Sequence, residues 1–283
     1  MTLIMDGKAT AKAVQEKIAQ DVERLKPTGK RPGLAVVLVG EDPGSKIYVG
    51  RKKKACEDLG FYSEEYRLPA DTKEADLLAL VKKLNAKPEI NGVLVQLPLP
   101  NGLNPQKVIE TIDPEKDVDG MHPASLGKLV AGLPGLRSCT PAGVMVMLQH
   151  YGISVAGKDA VVIGRSIMVG KPMAQLLIEA NATVTVCHSK TRNIGEVIRR
   201  ADIVVAAMGK PKFVKADMIK DGAVVVDVAM NRLADGKLSG DVDFEVIAPK
   251  ASAITPVPGG VGPMTIAMLM KNTYEAFLRQ TGL

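Results

Sequence analysis

The sequence predicts an α/β fold with parallel sheets, divided into two domains. Six short, valine-rich apolar runs recur along the chain without alternating polar residues, which is typical of strands buried on both faces. Helical patterns of apolar residues lie between these runs, as in α/β architectures. The length of 283 residues exceeds the roughly 100–200 residues of one domain.

The predicted elements alternate along the chain. The N-terminal segment Met1–Asp21 predicts an amphipathic helix, because charged residues are spread through it. The predicted strands are Leu34–Gly40, Gly92–Leu99, Ala160–Gly164, Ala182–His188, Ala201–Gly209 and Ala223–Met230. The predicted helices include Lys46–Leu59, Glu74–Leu84, Pro172–Glu179, Gly195–Arg200 and Thr265–Leu278.

A segment rich in Pro, Gly and Asp separates the two halves of the chain. It runs from about Asp113 to Pro141 and contains no strong strand pattern. This composition is typical of turns and linkers, so we place the domain boundary near its end. In the first half, Ser45 is the predicted N-cap of the following helix and Gly60 the predicted stop.

Composition narrows the classes of function. Aromatic residues make up 3% of the chain, which argues against a protein that stacks successive nucleic-acid bases on its rings. The net charge of +6 fits a ligand with phosphate or carboxylate groups, although an ordinary soluble surface explains it equally well. Three widely spaced Cys residues predict a reduced cytoplasmic protein without disulfides or zinc. The sequence shows neither a secretory signal nor the ~18-residue apolar run of a membrane span.

The strand that ends at Gly164 leads into a turn and then into a helix beginning near Gly170. Backbone N–H groups at a helix N-terminus bind phosphate and glycine permits close approach, so this turn suits a dinucleotide cofactor in a Rossmann-type domain. The spacing departs from G-x-G-x-x-G, because Ser166 stands where the second glycine would be. On this turn alone, an ordinary strand–turn–helix unit is an equally good interpretation.

The residues after the next strand favour NADP over NAD. An NAD site usually carries an Asp or Glu about 20 residues after the glycine turn, where it binds the ribose 2′-hydroxyl. This chain instead has His, Ser, Lys, Thr and Arg at positions 188–192, and Arg165 lies in the turn itself. Hydroxyl groups and cations suit a 2′-phosphate. We therefore expect the stretch 188–192 to bind a 2′-phosphate, with Arg165 as a second contact, and a solvated basic loop is the alternative.

One lysine in the first half falls on an apolar helix face. The four consecutive cations Arg51–Lys54 resemble a solvated face or a nucleic-acid patch. Residues three and four apart share a helix face, which groups Lys52 with Tyr48 and Cys56 and directs the other three cations elsewhere. A partly buried lysine has a lowered pKa and exchanges protons near neutral pH. The alternative is a lysine that extends from the edge of the core to solvent.

Three further features lie where α/β proteins bind ligands. Gln96 is the polar residue in an apolar strand whose end would face a ligand, although the loop backbone could also satisfy its amide. Asp117 and Asp119 precede Gly120 in a sequence that equally fits an Asx-turn. Residues 256–263 form a rigid loop with few side chains, which permits close approach to a flat ligand or merely links to the last helix.

Five motifs together resemble one enzyme family. They are, in chain order, YVGRKKKACEDLG (48–60), GVLVQLPLP (92–100), PEKDVDGMHP (114–123), GRSIMVGKP (164–172) and PVPGGVGPMT (256–265). The set resembles the bifunctional methylenetetrahydrofolate dehydrogenase/cyclohydrolase family over essentially the whole chain. The resemblance implies a cytoplasmic homodimer that serves one-carbon metabolism and purine biosynthesis, without nucleic-acid, membrane or metal partners.

The resemblance also implies a domain division. Residues 1–140 would form a catalytic domain that binds tetrahydrofolate, and residues 141–264 a Rossmann-like domain that binds NADP. The C-terminal helix, residues 265–283, would pack back on the first domain.

Individual residues acquire roles from the same resemblance. Tyr48 matches a tyrosine that stacks on the folate, Lys52 matches the catalytic lysine, and Gln96 matches the glutamine that hydrogen-bonds to it. Asp119 matches the aspartate that binds the pterin. The other implied contacts are Val95, Leu97, Pro258, Gly259 and Gly260 for folate, and Gly164, Arg165, Ser166, Ser189 and Met230 for NADP.

The implied chemistry has two steps. A hydride passes from the methylene carbon of 5,10-methylenetetrahydrofolate to NADP⁺, and water then attacks the methenyl carbon to give 10-formyltetrahydrofolate. Lys52 is the expected base of the second step. Without the resemblance, the residues also fit two other functions. One is a two-domain NADP oxidoreductase for a hydroxy acid or amino acid, and the other is a nucleic-acid-binding protein that uses Arg51–Lys54.

Overall fold

The computed structural model describes residues 2–283, and Met1, the first residue of the predicted N-terminal helix, lies outside them. The chain forms two compact units. Ala13–Cys139 and Ile266–Leu283 form the three-strand unit, whereas the segment up to Lys12 and Thr140–Thr265 form the six-strand unit. The chain passes between the units within the helices α1 (Gly7–Leu25), α6 (Cys139–His150) and α10 (Val261–Thr281).

The three-strand unit is built on a small parallel sheet. Its strands are β2 (Gly33–Val39), β3 (Tyr62–Leu68) and β4 (Gly92–Val95), arranged in the order β3–β2–β4. Its helices, besides parts of α1 and α10, are α2 (Pro43–Asp58), α3 (Glu74–Asn85), α4 (Pro105–Thr111) and α5 (Pro123–Val130).

The central strand β2 is buried along its whole length. A strand covered on both faces carries no polar alternation, which is why its sequence reads as a continuous apolar run. Val37 of β2 pairs in parallel with Tyr66 of β3 and with Val95 of β4. Because the three strands run the same way, their carboxyl ends lie at one edge of the sheet, and Gln96 follows β4 at that edge.

The helix α2 begins about one turn earlier than predicted, at Pro43. Its N-cap is Asp42 and not Ser45, because the Asp42 carboxylate accepts a hydrogen bond from the Ser45 backbone amide at 2.7 Å. The predicted stop is confirmed, since Gly60 has a φ of 73°, the left-handed conformation that ends helices. Both ends of the helix that carries Lys52 are therefore fixed locally.

The C-terminal helix packs in the three-strand unit, as predicted. Residues 266–281 of α10 belong to this unit together with Ala13–Cys139. Near the end of α10, the Gln280 side-chain amide donates to the backbone carbonyls of Asn91 and Glu115, at 2.9 Å each. Residues late in the sequence thus complete a unit that begins early in it.

The six-strand unit contains a second, larger parallel sheet. Its strands are β1 (Leu3–Ile4), β5 (Asp159–Ile163), β6 (Thr183–Cys187), β7 (Ile203–Ala206), β8 (Val224–Asp227) and β11 (Ala253–Ile254). A separate antiparallel hairpin contains β9 (Asn231–Arg232) and β10 (Leu238–Ser239). The helices of this unit, besides parts of α1, α6 and α10, are α7 (Gly170–Glu179), α8 (Ile194–Arg199) and α9 (Phe244–Ile247).

The strand order β1–β11–β8–β7–β5–β6 contains a change of direction. The chain leaves β5 through α7 to reach β6 on one side, and then crosses through α8 to β7 on the other side. Such a point opens a crevice at the carboxyl ends of the two neighbouring strands, where open α/β sheets bind ligands. Gly164, directly after β5, lies at this crevice. The predicted parallel α/β fold is confirmed.

Several element assignments from the sequence are wrong. Leu3–Ile4 pair with Ala253–Ile254 as a parallel strand, so the N-terminal helix begins only at Gly7. The strand β3 is absent from the predicted set, because its sequence YSEEYRL is half-exposed and lacks an apolar run. The strand β4 ends at Val95, before the two prolines that follow Gln96. No helix among residues 2–283 is long and apolar enough to cross a lipid bilayer.

Two buried carboxylates hold the loops at the carboxyl ends of β7 and β8. Asp241 accepts hydrogen bonds from three consecutive backbone amides, those of residues 208–210, at 2.7, 3.0 and 2.6 Å. Asp227 accepts hydrogen bonds from the amides of Ala229, Asp241 and Val242 at 3.2, 3.1 and 2.8 Å. Each carboxylate satisfies loop amides that lie beyond the sheet ladder.

Asp227 predicts a pH dependence of stability. Burial raises the pKa of Asp227 from 3.8 to about 7, so the folded chain keeps a proton that the unfolded chain releases in this range. The contribution of this group to the free energy of unfolding should fall as the pH rises from 5 to 7, by up to about 1.4 kcal/mol per pH unit. Urea unfolding of the wild type and Asp227→Asn measures it. The wild-type advantage should shrink up to pH 7 and then level off, and a constant difference would contradict the prediction.

Candidate active site

A hydrogen-bonded pair, Lys52 and Gln96, marks the carboxyl edge of the smaller sheet. Lys52 on α2 is 6% exposed, whereas Arg51, Lys53 and Lys54 are exposed, which confirms the predicted orientation of the four cations. Lys52 Nζ donates to Gln96 Oε1 at 2.7 Å. The Gln96 backbone amide donates to the carbonyl of Val37 at 2.8 Å, so the sheet itself fixes the position of this residue.

A second hydrogen bond sets the orientation of the Gln96 amide. Its Nε2 donates to the Leu97 carbonyl at 2.6 Å, which leaves Oε1 to face Lys52. An amide oxygen can accept from an ammonium group or from a neutral amine, since both carry N–H. Gln96 therefore holds Lys52 in place in either protonation state, and the lone pair of the neutral amine stays available for a proton.

The surroundings of Lys52 favour proton exchange. Burial lowers the pKa of Lys52 below the ordinary value for lysine, and the negative charge of Asp119 opposes this shift. Burial raises the pKa of Asp119, and the charge of Lys52 in turn opposes that shift. Each of the two groups therefore stabilises the charged form of the other. A lysine whose pKa is lowered by burial is a better base candidate than an exposed lysine.

The two aspartates of the DVDG segment have different roles. Asp117 is 1% exposed and accepts hydrogen bonds from the amides of residues 121–122 and from the Ser125 hydroxyl, so it forms the turn. Asp119 is partly exposed and interacts electrostatically with the lysine. Gly120 has a φ of 69°, and a Cβ there would lie 2.4 Å from a backbone carbon. Glycine at this position therefore lets Asp119 occupy its place.

Asn272 positions the Asp119 loop, and the sequence analysis missed it. It is 3% exposed on α10, and its side-chain amide donates to the backbone carbonyls of Val118 and Arg137 at 2.8 Å each. The Cys139 thiol donates to the same Val118 carbonyl at 3.2 Å. These bonds tie the loop before Asp119 to the segment that leads into α6. The available signal is a single amide within an apolar helical stretch, AMLMKNTYEAF.

The other predicted residues of this unit lie around the pair. Tyr48 is one helical turn before Lys52 and half-buried, and burial raises the pKa of its phenol, which therefore stays protonated at neutral pH. The Val95 side chain is 5% exposed and packs in the core, so its backbone is what remains for a ligand. Leu97 is half-buried beside Gln96.

Gly164 lies in the crevice between β5 and β7. It has a φ of 133°, and a Cβ there would lie 2.3 Å from the carbonyl oxygen of Ala207. Its amide donates to the Cys187 carbonyl at 2.9 Å, at the end of β6. Because only glycine fits between these neighbours, the backbone of the turn stays open to close approach by a ligand.

Ser166 explains why the turn departs from the common glycine spacing. Its hydroxyl oxygen accepts hydrogen bonds from the amides of Val169 at 3.1 Å and Gly170 at 3.4 Å, at the start of α7. These bonds do not use the hydroxyl hydrogen, which can donate to an anion. The serine therefore both binds amides at the start of α7 and offers a donor at a helix N-terminus that suits phosphate.

Arg165 and Ser189 follow neighbouring strands and are exposed. Ile163 of β5 pairs with Cys187 of β6, and each of the two residues stands two positions further along its own strand. The structure thus brings a guanidinium and a hydroxyl to one edge, where residues 188–192 include no acid. Met230, which is 42% exposed, follows β8 at the same edge of the sheet.

The remaining predicted folate contacts, Pro258, Gly259 and Gly260, lie in the six-strand unit between β11 and α10. The Gly259 carbonyl accepts a hydrogen bond from the Gly7 amide at 2.9 Å. A Cβ on Gly260 would lie 2.5 Å from the Pro256 carbonyl oxygen. Backbone contacts therefore shape this loop, and its residues belong to a different unit from Lys52.

Comparison with protein families matches both parts of the chain. The family model described as "Tetrahydrofolate dehydrogenase/cyclohydrolase, catalytic domain" matches residues 5–119. The family model described as "Tetrahydrofolate dehydrogenase/cyclohydrolase, NAD(P)-binding domain" matches residues 138–281. The two matches together span most of the sequence.

Individual proteins show the same similarity. The bifunctional protein FolD of Geotalea uraniireducens is 56% identical over 280 residues, which cover 99% of this chain and 100% of that protein. The FolD methylenetetrahydrofolate dehydrogenase/cyclohydrolase of Campylobacter jejuni has a TM-score of 0.97 at 47% identity, covering 99% of both chains. The Trypanosoma brucei enzyme, solved with NADP cofactor and inhibitor, has a TM-score of 0.96 at 39% identity, covering 100% of this chain and 99% of that one.

Replacing Gly164 tests the packing of the crevice. The Gly164→Ala variant should lose more stability than Gly157→Ala, a matched control with a φ of 72° and nothing within 4 Å of the added Cβ. Both variants place a Cβ on a residue with positive φ, but only Gly164→Ala adds the contact with Ala207, so its loss should be larger by at least about 1–3 kcal/mol. Urea unfolding measures both, and equal losses would show that the crevice is not closely packed.

Proposed function

Because the chain belongs to the tetrahydrofolate dehydrogenase/cyclohydrolase family, it oxidises 5,10-methylenetetrahydrofolate with NADP⁺ and hydrolyses the methenyl product to 10-formyltetrahydrofolate, and we propose that Lys52 is the base of the hydrolysis. Both reactions belong to one-carbon metabolism. Family membership favours this function over the two alternatives that the sequence left open, a hydroxy-acid or amino-acid oxidoreductase and a nucleic-acid-binding protein. The hydrogen bond from Lys52 to Gln96, at 2.7 Å, is the observation that carries the residue assignment.

The residues at the edge of the larger sheet fit NADP. The Gly164 turn leaves its backbone open, and the Ser166 hydroxyl retains a hydrogen to donate at the start of α7. Arg165 and Ser189 would hold the 2′-phosphate, since a guanidinium and a hydroxyl both donate to it. Met230 would supply an apolar contact. Bound NADP⁺ supplies the acceptor for the hydride, whose donor is the methylene carbon of the substrate.

The folate substrate would lie against Tyr48, with its reactive end toward Lys52, Gln96 and Asp119. The Asp119 carboxylate would accept hydrogen bonds from N–H groups of the pterin ring. Backbone atoms of Val95 and Leu97 would line the remaining surface of this unit. In the oxidation, nitrogen lone pairs of the substrate stabilise the methenyl cation, so the contribution of these residues is alignment.

The hydrolysis needs a base. Neutral Lys52 would accept a proton from the water that attacks the methenyl carbon, and would return it to the ring nitrogen as the carbon–nitrogen bond breaks. The proton of the new hydroxyl group leaves to solvent, which balances the charge of the cation. The cationic substrate and burial both favour the neutral amine, while Gln96 keeps the amine in place.

The edge of the larger sheet supports the predicted homodimer. We propose that a second copy of the chain covers β6 and α7. Among the described residues, β6 pairs with β5 alone, so its outer edge has unpaired backbone groups. Val186 of β6 is 38% exposed and Ile178 of α7 is 50% exposed. An open strand edge beside exposed apolar side chains suits a two-fold dimer, in which the same surface of both copies meets. We also propose, from family membership, that these reactions take place in the cytoplasm.

The Lys52→Met variant separates the two activities. Loss of the base should reduce the hydrolysis by about 10²–10⁴-fold and the oxidation much less, because alignment of the folate depends on other residues. Steady-state rates of NADP⁺ reduction and of methenyl loss, measured side by side, check this. Asp119→Ala is the contrasting variant, since weaker folate binding should raise KM for both reactions. Comparable retention of both activities in Lys52→Met would refute the base assignment.

The Val186→Lys variant tests the dimer. A charge within the proposed interface should shift the protein from dimer to monomer in sedimentation equilibrium. Val246→Lys is the matched control, because Val246 is 50% exposed on α9, outside the proposed interface. A monomeric wild type, or a variant that dimerises as well as the control, would contradict the proposed interface.

A further inference from the structure

Arg51 lies beside the proposed folate tyrosine, and no described residue forms an ion pair with it. It is exposed, and its guanidinium carbon lies 6.0 Å from the centre of the Tyr48 ring. Within residues 2–283, no carboxylate forms an ion pair with it. On the same helix, Lys46 pairs with Glu41, and Lys54 pairs with Asp58 at 3.0 Å. Arg51 is therefore available to an external anion.

Helix geometry places Tyr48 between Lys52 and Arg51. Successive residues of an α-helix are rotated by about 100°, so Lys52 lies roughly 40° to one side of Tyr48 and Arg51 roughly 60° to the other. Lys52 is buried and Arg51 is exposed. A flat ligand against the Tyr48 ring would thus have the reactive amine at its inner end and the guanidinium at its outer, solvent-facing end.

We propose that Arg51 binds the carboxylates of the glutamate tail of the folate substrate and favours substrates with longer tails. This inference rests on the proposed folate orientation, in which the pterin meets Lys52 and Asp119. The benzoyl ring of the substrate, which joins the pterin to the glutamate tail, then lies near Tyr48. The glutamate tail extends from this ring toward solvent. Each additional glutamyl unit adds one carboxylate, and the planar guanidinium group can hold a carboxylate by two parallel hydrogen bonds.

The other cations of the helix are less suited to this role. Lys54 is engaged by Asp58. Lys53 is exposed, but it lies roughly 160° around the helix from Arg51, on the far side from Tyr48. Lys53→Ala is therefore a matched control. It removes the same charge from the same helix, at a position that faces away from the proposed ligand.

The test compares three substrates that differ in the tail. These are 5,10-methylenetetrahydropteroate, which lacks glutamate, and the monoglutamate and triglutamate forms of 5,10-methylenetetrahydrofolate. Arg51→Ala should raise KM for the triglutamate about three- to tenfold, with a smaller rise for the monoglutamate and none for the pteroate. The value of kcat should stay unchanged. Lys53→Ala should match the wild type with all three, and added salt should reduce the effect of Arg51→Ala.

Two results would overturn the proposal. An equal rise in KM for all three substrates would mean that Arg51 acts on Tyr48 or on the helix and not on the tail. An equal effect of Lys53→Ala would mean that the overall charge of the helix is responsible. Failure of the proposed function itself looks different, because the wild type would then oxidise none of the three substrates.

Discussion

The hydrogen bond between the buried Lys52 and Gln96 is the interaction on which the rest of the site depends. It joins the helix α2 to the end of the strand β4, and so requires both elements to be in place. An amine in this setting is poorly solvated, and the amide oxygen holds it without adding charge. A carboxylate partner in place of Gln96 would instead stabilise the ammonium form and remove the base. The neutral character of glutamine is therefore part of the chemistry.

Much of the fold and part of the site follow from the sequence. Buried parallel strands such as β2 and β5 read as unbroken apolar runs, because both of their faces are covered. The orientation of Lys52 follows from helical spacing alone, since its three cationic neighbours cannot share its face. The assignment of Tyr48, Gln96 and Asp119 to one folate site came from the family resemblance. Their roles stay predictions, although Lys52, Gln96 and Asp119 interact in the structure.

The remaining features depend on contacts between distant parts of the sequence. The strand Leu3–Ile4 gains its place from pairing with residues about 250 positions later, which local pattern cannot reveal. The strand β3 is half-exposed, so its polar and aromatic residues give no apolar signal. Asn272 and Asp241 act on backbone groups of other segments, and backbone carbonyls and amides are the same in every sequence. Such roles become visible only when the loops that they hold are known.

The discontinuous three-strand unit has a consequence for biosynthesis. Domains generally fold as their residues leave the ribosome, from the N-terminal side onward. Lys52, Gln96 and Asp119 emerge early, but Asn272 and Gln280, which fasten the Asp119 loop and the sheet base, are translated more than 150 residues after Asp119. A nascent chain that has already made every proposed catalytic residue therefore still lacks the helix that orders them. The three-strand unit is therefore completed only after the residues of α10 have been translated.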